Sequence, residues 1–198
     1  EITYGMPGYN GAIESVEILN GDVKYRTIGD EEPEGICGSG LVDLLAELRR
    51  TERINQLGVF QDGTEEFQFT DGNGVLLSRS DISALAQAKS ANYAGQYIVL
   101  RRYGLPFEQV SKLYLAGGFA NYINVRNAVG IGFIANLPLE KIVKVGNAAL
   151  EGATIMLVSD EMRRRIEKLT REIEHVELET TTDFFEIFVE GCMFDPMR

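Results

Sequence analysis

Tryptophan is absent from the 198 residues, histidine occurs once, as His175, and cysteine twice, as Cys37 and Cys192. Two distant thiols and one imidazole fall short of the ligand count of a zinc site and cannot make a disulfide framework, so a reducing cytoplasm suits the chain. His175 has no serine or cysteine nucleophile close by in sequence, which gives no basis for a catalytic triad, and no role is assigned to it or to either cysteine. No apolar run reaches 18 residues and no secretory leader is recognisable, so no membrane partner is expected. Basic residues are scarce as well: 19 Lys and Arg stand against 30 Asp and Glu, a formal charge of -11. That balance repels phosphate backbones, and nucleic acid is not expected as a partner. The chain opens on Glu1 instead of Met, directly in strand-like sequence, as a fragment with its natural start elsewhere would.

What is present is ample for a folded core. The apolar share is 44%, with 10 Phe and 8 Tyr, and the pattern alternates between strand and helix periods. Residues 12–28 read as a hairpin turning at Asn20-Gly21-Asp22. Gly35-Ile36-Cys37-Gly38-Ser39-Gly40 then opens a helix carrying Leu41, Leu44, Leu45 and Leu48 at helical spacing. Turn signals at Asp62-Gly63 and Asp71-Gly72-Asn73-Gly74 mark a small β excursion over 59–79. From Ser80 a capping residue and Asp81 announce a helix through Leu85, Ala88, Tyr93 and Leu100, ending at Gly104 and Pro106. Residues 112–116 form a short buried strand that breaks into Gly117-Gly118, and Asn121 or Asn124 could cap the helix after it. Ile142-Val143-Lys144-Val145 is a second buried strand, ending in Gly146-Asn147 and followed by a helix expected to run to about Glu172. Val176–Leu178 reads as a further strand, and 183–189 as a closing helix with Phe184, Phe185 and Phe188 on its apolar side. The order is that of an α/β protein whose ligand loops lie at the strand ends.

Three places carry chemistry. Two glycines at the carboxyl end of a buried strand, Gly117-Gly118 before Phe119, let a flat or charged ligand touch the backbone; the alternative is a plain strand-to-helix turn. Gly38-Ser39-Gly40 exposes unpaired N–H groups at a helix start, a possible anion site, although it lacks the Lys-Ser/Thr pair of a phosphate loop and also reads as a structural cap. Ala148, Ala149, Gly152 and Ala153 leave a helix face without bulk, so a second backbone can approach it. Lys89 lies on the helix before the Gly-Gly strand, within reach of a ligand there or else simply exposed. Arg163-Arg164-Arg165, beside Glu161 and Glu167, reads as a solvated helix face.

Together these segments resemble the C-terminal domain of the reductive activators of corrinoid proteins, members of the actin, sugar kinase and heat-shock chaperone (ASKHA) ATPase superfamily. The match is carried by Tyr4-Gly5-Met6 with Gly11-Ala12-Ile13-Glu14, by Gly35 to Asp43, and by Asp81-Ile82 with Gln87-Ala88-Lys89. It continues through Leu115-Ala116-Gly117-Gly118-Phe119 and Val145 to Ala153, in family order over most of the chain.

The resemblance implies a ribonuclease-H-like, actin-like half-domain: a mixed sheet flanked by helices, with a small helical/β subdomain inserted at 52–104. It implies an adenosine motif at Gly117, Gly118 and Phe119, a nucleotide contact from Lys89, and a connecting helix at the lobe hinge that begins at Gly146 and Asn147. The family couples ATP hydrolysis to reduction of Co(II) corrinoid to Co(I) on a methyl-transfer protein. The implied partner is therefore that corrinoid protein, with a homodimer also possible. ATP with Mg is implied for the full-length protein, and an iron-sulfur cluster of the 2Fe-2S type only for a part upstream of Glu1. The Asp-x-Gly-Thr loops that hold phosphate and metal are missing from these 198 residues, so no catalytic residue and no metal ligand is assigned and the fragment alone is expected to be inactive. A sugar or acid kinase lobe and a non-enzymatic actin-like assembly module are the alternatives.

Overall fold

The computed structural model describes residues 2–70 and 74–197. Strands β1 (Ala12–Leu19) and β2 (Asp22–Thr27) pair antiparallel through a two-residue turn. Asn20 and Gly21 there take φ of 52° and 93°, the left-handed pair that matches the twist of a tight hairpin. Pairing slips between Ile13 and Ser15, so Glu14 is the extra residue of a bulge. The bulge moves the core-facing set of β1 from Ile13 to Val16 and Ile18, a change of parity that a regular strand forbids. Strand β3 (Gly35–Ile36) joins β1 in parallel, making a mixed three-stranded sheet.

Helix α1 (Gly38–Arg50) packs along β1 and buries Leu41, Val42, Leu44, Leu45 and Leu48. Because β3 is so short, the amides of β1 beyond it need other acceptors. Asp43 accepts from the Val16 N–H, and Glu47, one turn further along α1, from the Ile18 N–H at 2.6 Å. Two buried helix carboxylates thus stand where a strand would be. Burial pushes the Asp43 carboxyl up despite a 2.7 Å hydrogen bond from Asn127, whereas the Arg50 guanidinium holds Glu47 below the ordinary range.

Strands β4 (Glu66–Gln68) and β5 (Leu76–Ser78) form the expected β excursion. The turn expected at 71–74 lies outside the described residues except for Gly74. Ile54, Phe60, Phe69, Val75, Leu77 and Ile82 share one continuous core with Ile13, Leu44 and Leu48. Helix α2 (Arg79–Tyr103) starts two residues earlier than the sequence suggested. Its cap is Ser78, in a reciprocal box with Asp81, because the Ser-x-x-Asp spacing lets each side chain take the other's backbone N–H.

Strand β6 (Leu113–Ala116) runs parallel to β7 (Ile142–Gly146). Between them lie α3 (Gly118–Tyr122) and α4 (Val125–Gly130), the latter capped by Asn124. The long helix expected after Asn147 is two helices, α5 (Ala148–Val158) and α6 (Asp160–Leu169). Ser159 is extended at φ -140° and caps α6 through the Met162 N–H. Helix α5 is apolar nearly all round, yet none of its residues is buried, and Leu150, Leu157 and Val158 stand open to solvent. No strand forms at Val176–Leu178, where the chain is irregular before a 3-10 turn. The closing helix α7 (Phe184–Gly191) turns Ile187 and Gly191 inward and leaves Phe185 exposed. After it, Phe194 returns to the centre of the core.

Candidate functional site

The start of α1 and the glycine turn after β6, 80 residues apart in sequence, meet across a cavity of about 390 Å³. On one side Cys37 sits extended at the helix cap position but gives no side-chain hydrogen bond to the helix. The first amides of α1 therefore lack a side-chain cap, and no acidic residue occupies the first turn, an arrangement that favours an anion. Ser39 lines the cavity and is fixed there by donating to the Glu14 carbonyl at 2.9 Å, with the Cys37 sulfur 3.3 Å from its oxygen. Gly40 lies tight against the Ile13 carbonyl, where an added Cβ would come within 2.3 Å. That contact sets the depth at which α1 rests on β1 and so where Gly38 and Ser39 stand.

On the other side, Gly117 has φ 103° and ψ 164°, a conformation closed to side chains. Its N–H donates to the Gly146 carbonyl at 2.7 Å, extending the β6 and β7 pairing by one residue. Gly118 follows as the first residue of α3, lines the cavity, and has nothing within 4 Å of the place its Cβ would take. Phe119 crosses over Gly38, whose added Cβ would touch the ring at 2.8 Å, and stacks edge-on against Phe133 at 5.9 Å.

The structure therefore brings Gly38, Ser39, Gly118 and Phe119 into one cavity, with Gly117 and Gly40 shaping its two walls. Gly146 and Asn147 stand behind that wall: Gly146 supplies the carbonyl for Gly117, and Asn147 caps α5 by accepting from the Leu150 N–H at 3.1 Å. Glu14 and Tyr122 also line the cavity and escaped the sequence reading. The interval of three and then two between Ile13, Val16 and Ile18 is the sign that a bulge turns Glu14 out of its expected place.

Lys89 is not part of this cavity. Its ammonium is buried under the chain's last segment, donates to the Met193 carbonyl at 2.8 Å, and lies 5.6 and 5.7 Å from the ring centres of Tyr93 and Phe194. Burial lowers its pKa from 10.5 to about 8. A base whose folded pKa is depressed releases its proton first in the folded state, so stability rises as pH climbs from about 8 towards 10.5. The expected gain across that window is about 3 kcal/mol. Urea midpoints at the two ends should show it, and Lys89→Met should flatten the rise; an equal rise in the variant would assign the effect to another group.

Among the described residues no group of three or more His, Cys, Asp or Glu side chains could hold a metal ion, and no helix is long and apolar enough to cross a membrane. Cys37 and Cys192 are free thiols.

The family described as the C-terminal domain of RACo, the ASKHA domain, matches residues 1–197. The corrinoid activation enzyme RamQ of Eubacterium limosum is 31% identical over 217 aligned positions, which cover 98% of this chain and 37% of that protein. A solved structure of a reductive activator for corrinoid, iron-sulfur protein superposes with a TM-score of 0.88 at 33% identity, over 100% of this chain and 34% of that one. The chain thus spans little more than a third of the length of these relatives.

Proposed function

Because the chain belongs to the family of RACo C-terminal ASKHA domains, we propose that it is the adenosine-side lobe of an ATP-dependent activator that returns Co(II) corrinoid to Co(I) on a partner protein. The observation that carries this reading is the cavity in which an uncapped helix start, Gly38-Ser39, faces the open glycine turn of Gly118 and Phe119. The α1 amides suit phosphate oxygens, while the missing side chain at Gly118 lets a nucleotide lie against the backbone.

ATP fits these residues, and the chemistry it supplies is the free energy of hydrolysis to ADP and phosphate. The residues of this chain bind and orient the nucleotide. Mg and the single electron that converts Co(II) to Co(I) are assigned to polypeptide outside it, the electron coming from an iron-sulfur domain. ATP that binds the closed and open arrangements of two lobes with different affinity shifts the population between them, which is how hydrolysis can drive an uphill transfer. The partner is a corrinoid protein, met in the reducing cytoplasm.

Gly118→Val in the full-length protein tests the site. The side chain has open space and an ordinary backbone, so the fold should be unchanged by circular dichroism, while the new methyl groups enter the cavity. ATP affinity should fall about a hundredfold, and ATP-dependent Co(I) formation, followed by its absorbance, should fall with it. Unchanged ATP affinity in a folded variant would remove the nucleotide from this cavity.

A further inference from the structure

Spaced four residues apart on α1, Ser39, Asp43 and Glu47 form one stripe, and each bonds to the edge of β1 that β3 leaves free. Ser39 Oγ donates to the Glu14 carbonyl at 2.9 Å, Asp43 accepts from the Val16 N–H, and Glu47 accepts from the Ile18 N–H at 2.6 Å. The stripe stitches the helix to its strand.

Of the three, Asp43 also reaches across to α4, where Asn127 Nδ2 donates to its Oδ1 at 2.7 Å. A carboxylate can only accept, so the amide nitrogen of Asn127 must be the atom that faces it. Burial works against the charge on Asp43, and the hydrogen bonds from Asn127 and Val16 work for it. Helix α4 follows α3 after only Ile123 and Asn124, and α3 opens with Gly118 and Phe119. Asp43 is therefore tied to both walls of the cavity: through α1 and β1 to the side of Gly38 and Ser39, and through α4 to the side of Gly118 and Phe119. Where Phe119 crosses Gly38 the walls meet through a ring face, and such a contact has no preferred direction and lets surfaces slide. The Asp43 to Asn127 bond, about 7.5 Å along α1 from Gly38 at the helical rise, is directional and fixes the spacing.

We infer that Asp43 and Asn127 form an interlock that holds the two walls of the cavity at their working distance, which makes both of them positioning residues for the nucleotide. The inference rests on the nucleotide reading proposed above and adds the device that sets the width of the site.

Exchanging the pair in the full-length protein tests it. Asn127→Asp sets two carboxylates against each other. Adding Asp43→Asn restores a donor, because the amide at position 43 then takes the Val16 N–H on its oxygen and gives its nitrogen to the carboxylate at position 127. Asn127→Leu removes the link without adding charge, and none of these changes touches the Asn124 cap, which uses the backbone N–H of residue 127. Cys37 lines the cavity and is 7% exposed. Its alkylation by iodoacetamide without nucleotide, followed for each peptide by mass spectrometry, reports the separation of the walls, with the free thiol of Cys192 as the internal standard for global unfolding. Calorimetric titration with ATP reports the site. In Asn127→Asp and in Asn127→Leu, Cys37 should react about tenfold faster relative to Cys192, and ATP should bind about tenfold more weakly. Both values should return to those of the wild type in the exchange variant. Equal acceleration of Cys37 and Cys192 would make the pair a plain stability contact, and an unchanged Cys37 rate in folded Asn127→Leu would remove the interlock. Faster Cys37 alkylation with ATP affinity unchanged would overturn the positioning role. Wild type that binds no ATP would overturn the nucleotide reading itself, and the positioning role with it.

Discussion

Truncating Phe194 to alanine is expected to lower the free energy of unfolding by about 4 kcal/mol. The ring is fully buried although it lies close to the end of the chain. It shares the core with Ile54 and Ile82, approaches Gly58 so closely that an added Cβ there would touch it at 2.9 Å, and forms one wall around the Lys89 ammonium. Its N–H donates to the Gln56 carbonyl at 2.8 Å, and the neighbouring Asp195 pairs with Arg49 at 2.9 Å, so the tail is held at two points and cannot close over the void. Removing the ring costs the transfer of the lost carbons and the cavity left behind, beside a charge that keeps its burial but loses a cation–π partner. Urea unfolding followed by circular dichroism should show a lower midpoint with an unchanged slope. A loss under about 1 kcal/mol would mean that the tail does not seal the core.

Gly40→Ala should be nearly as damaging, through crowding instead of a void. An added Cβ would lie 2.3 Å from the Ile13 carbonyl oxygen and 2.9 Å from an Ile36 side-chain carbon. The carbonyl cannot swing aside, since it already accepts the Cys37 N–H at 3.0 Å. Helix α1 would have to lift from β1, at a cost of about 3 kcal/mol. The same displacement carries Gly38 and Ser39 off the cavity, so under the function proposed above ATP affinity should fall in whatever fraction remains folded. Gly152→Ala is the matching control: nothing lies within 4 Å of its Cβ position on α5. Alanine there should add about 0.5 to 1 kcal/mol by helix propensity alone. If both glycines behave alike in thermal melts, close packing of α1 is not what Gly40 provides.

The sequence showed most clearly those features whose causes are local. Asn20-Gly21 announces a tight turn, an asparagine at 121 or 124 announces a helix start that the structure gives to Asn124, and paired glycines after a short apolar strand announce its break into a helix, because each follows from the dihedral or hydrogen-bonding needs of a few adjacent residues. Where the reading slipped, two rival signals stood side by side or the deciding partner lay far along the chain. Ser78 and Ser80 both precede Asp81, and only the reciprocal box at a spacing of three selects Ser78. The Ser159-Asp160 pair is a start signal inside a helical pattern, which periodicity alone runs straight through. Lys89 looked free because its cover arrives 104 residues later with Met193. Phe184, Phe185 and Phe188 do share one arc of α7, but the inward direction is centred on Ile187 and Gly191, so Phe184 and Phe188 are half-buried beside it and Phe185, roughly 160° round from Ile187, is exposed. At the site itself, Gly38, Ser39, Gly118 and Phe119 were legible separately, but their meeting across one cavity is a property of the fold.

Gly146 has one further consequence, which is mechanical. Its carbonyl holds the Gly117 N–H, its own φ is 69°, and the next residue caps α5. The glycine turn at the cavity is thus the short arm of a lever whose long arm is α5, with the fulcrum at a residue that has no side chain to stiffen it. Any body that gripped the bare apolar flank of α5 and tilted it by a few degrees would move Gly117 and Gly118 in step. Torque applied some fifteen ångströms away, roughly the length of an 11-residue helix at about 1.5 Å per residue, would reach the cavity as a change in its width.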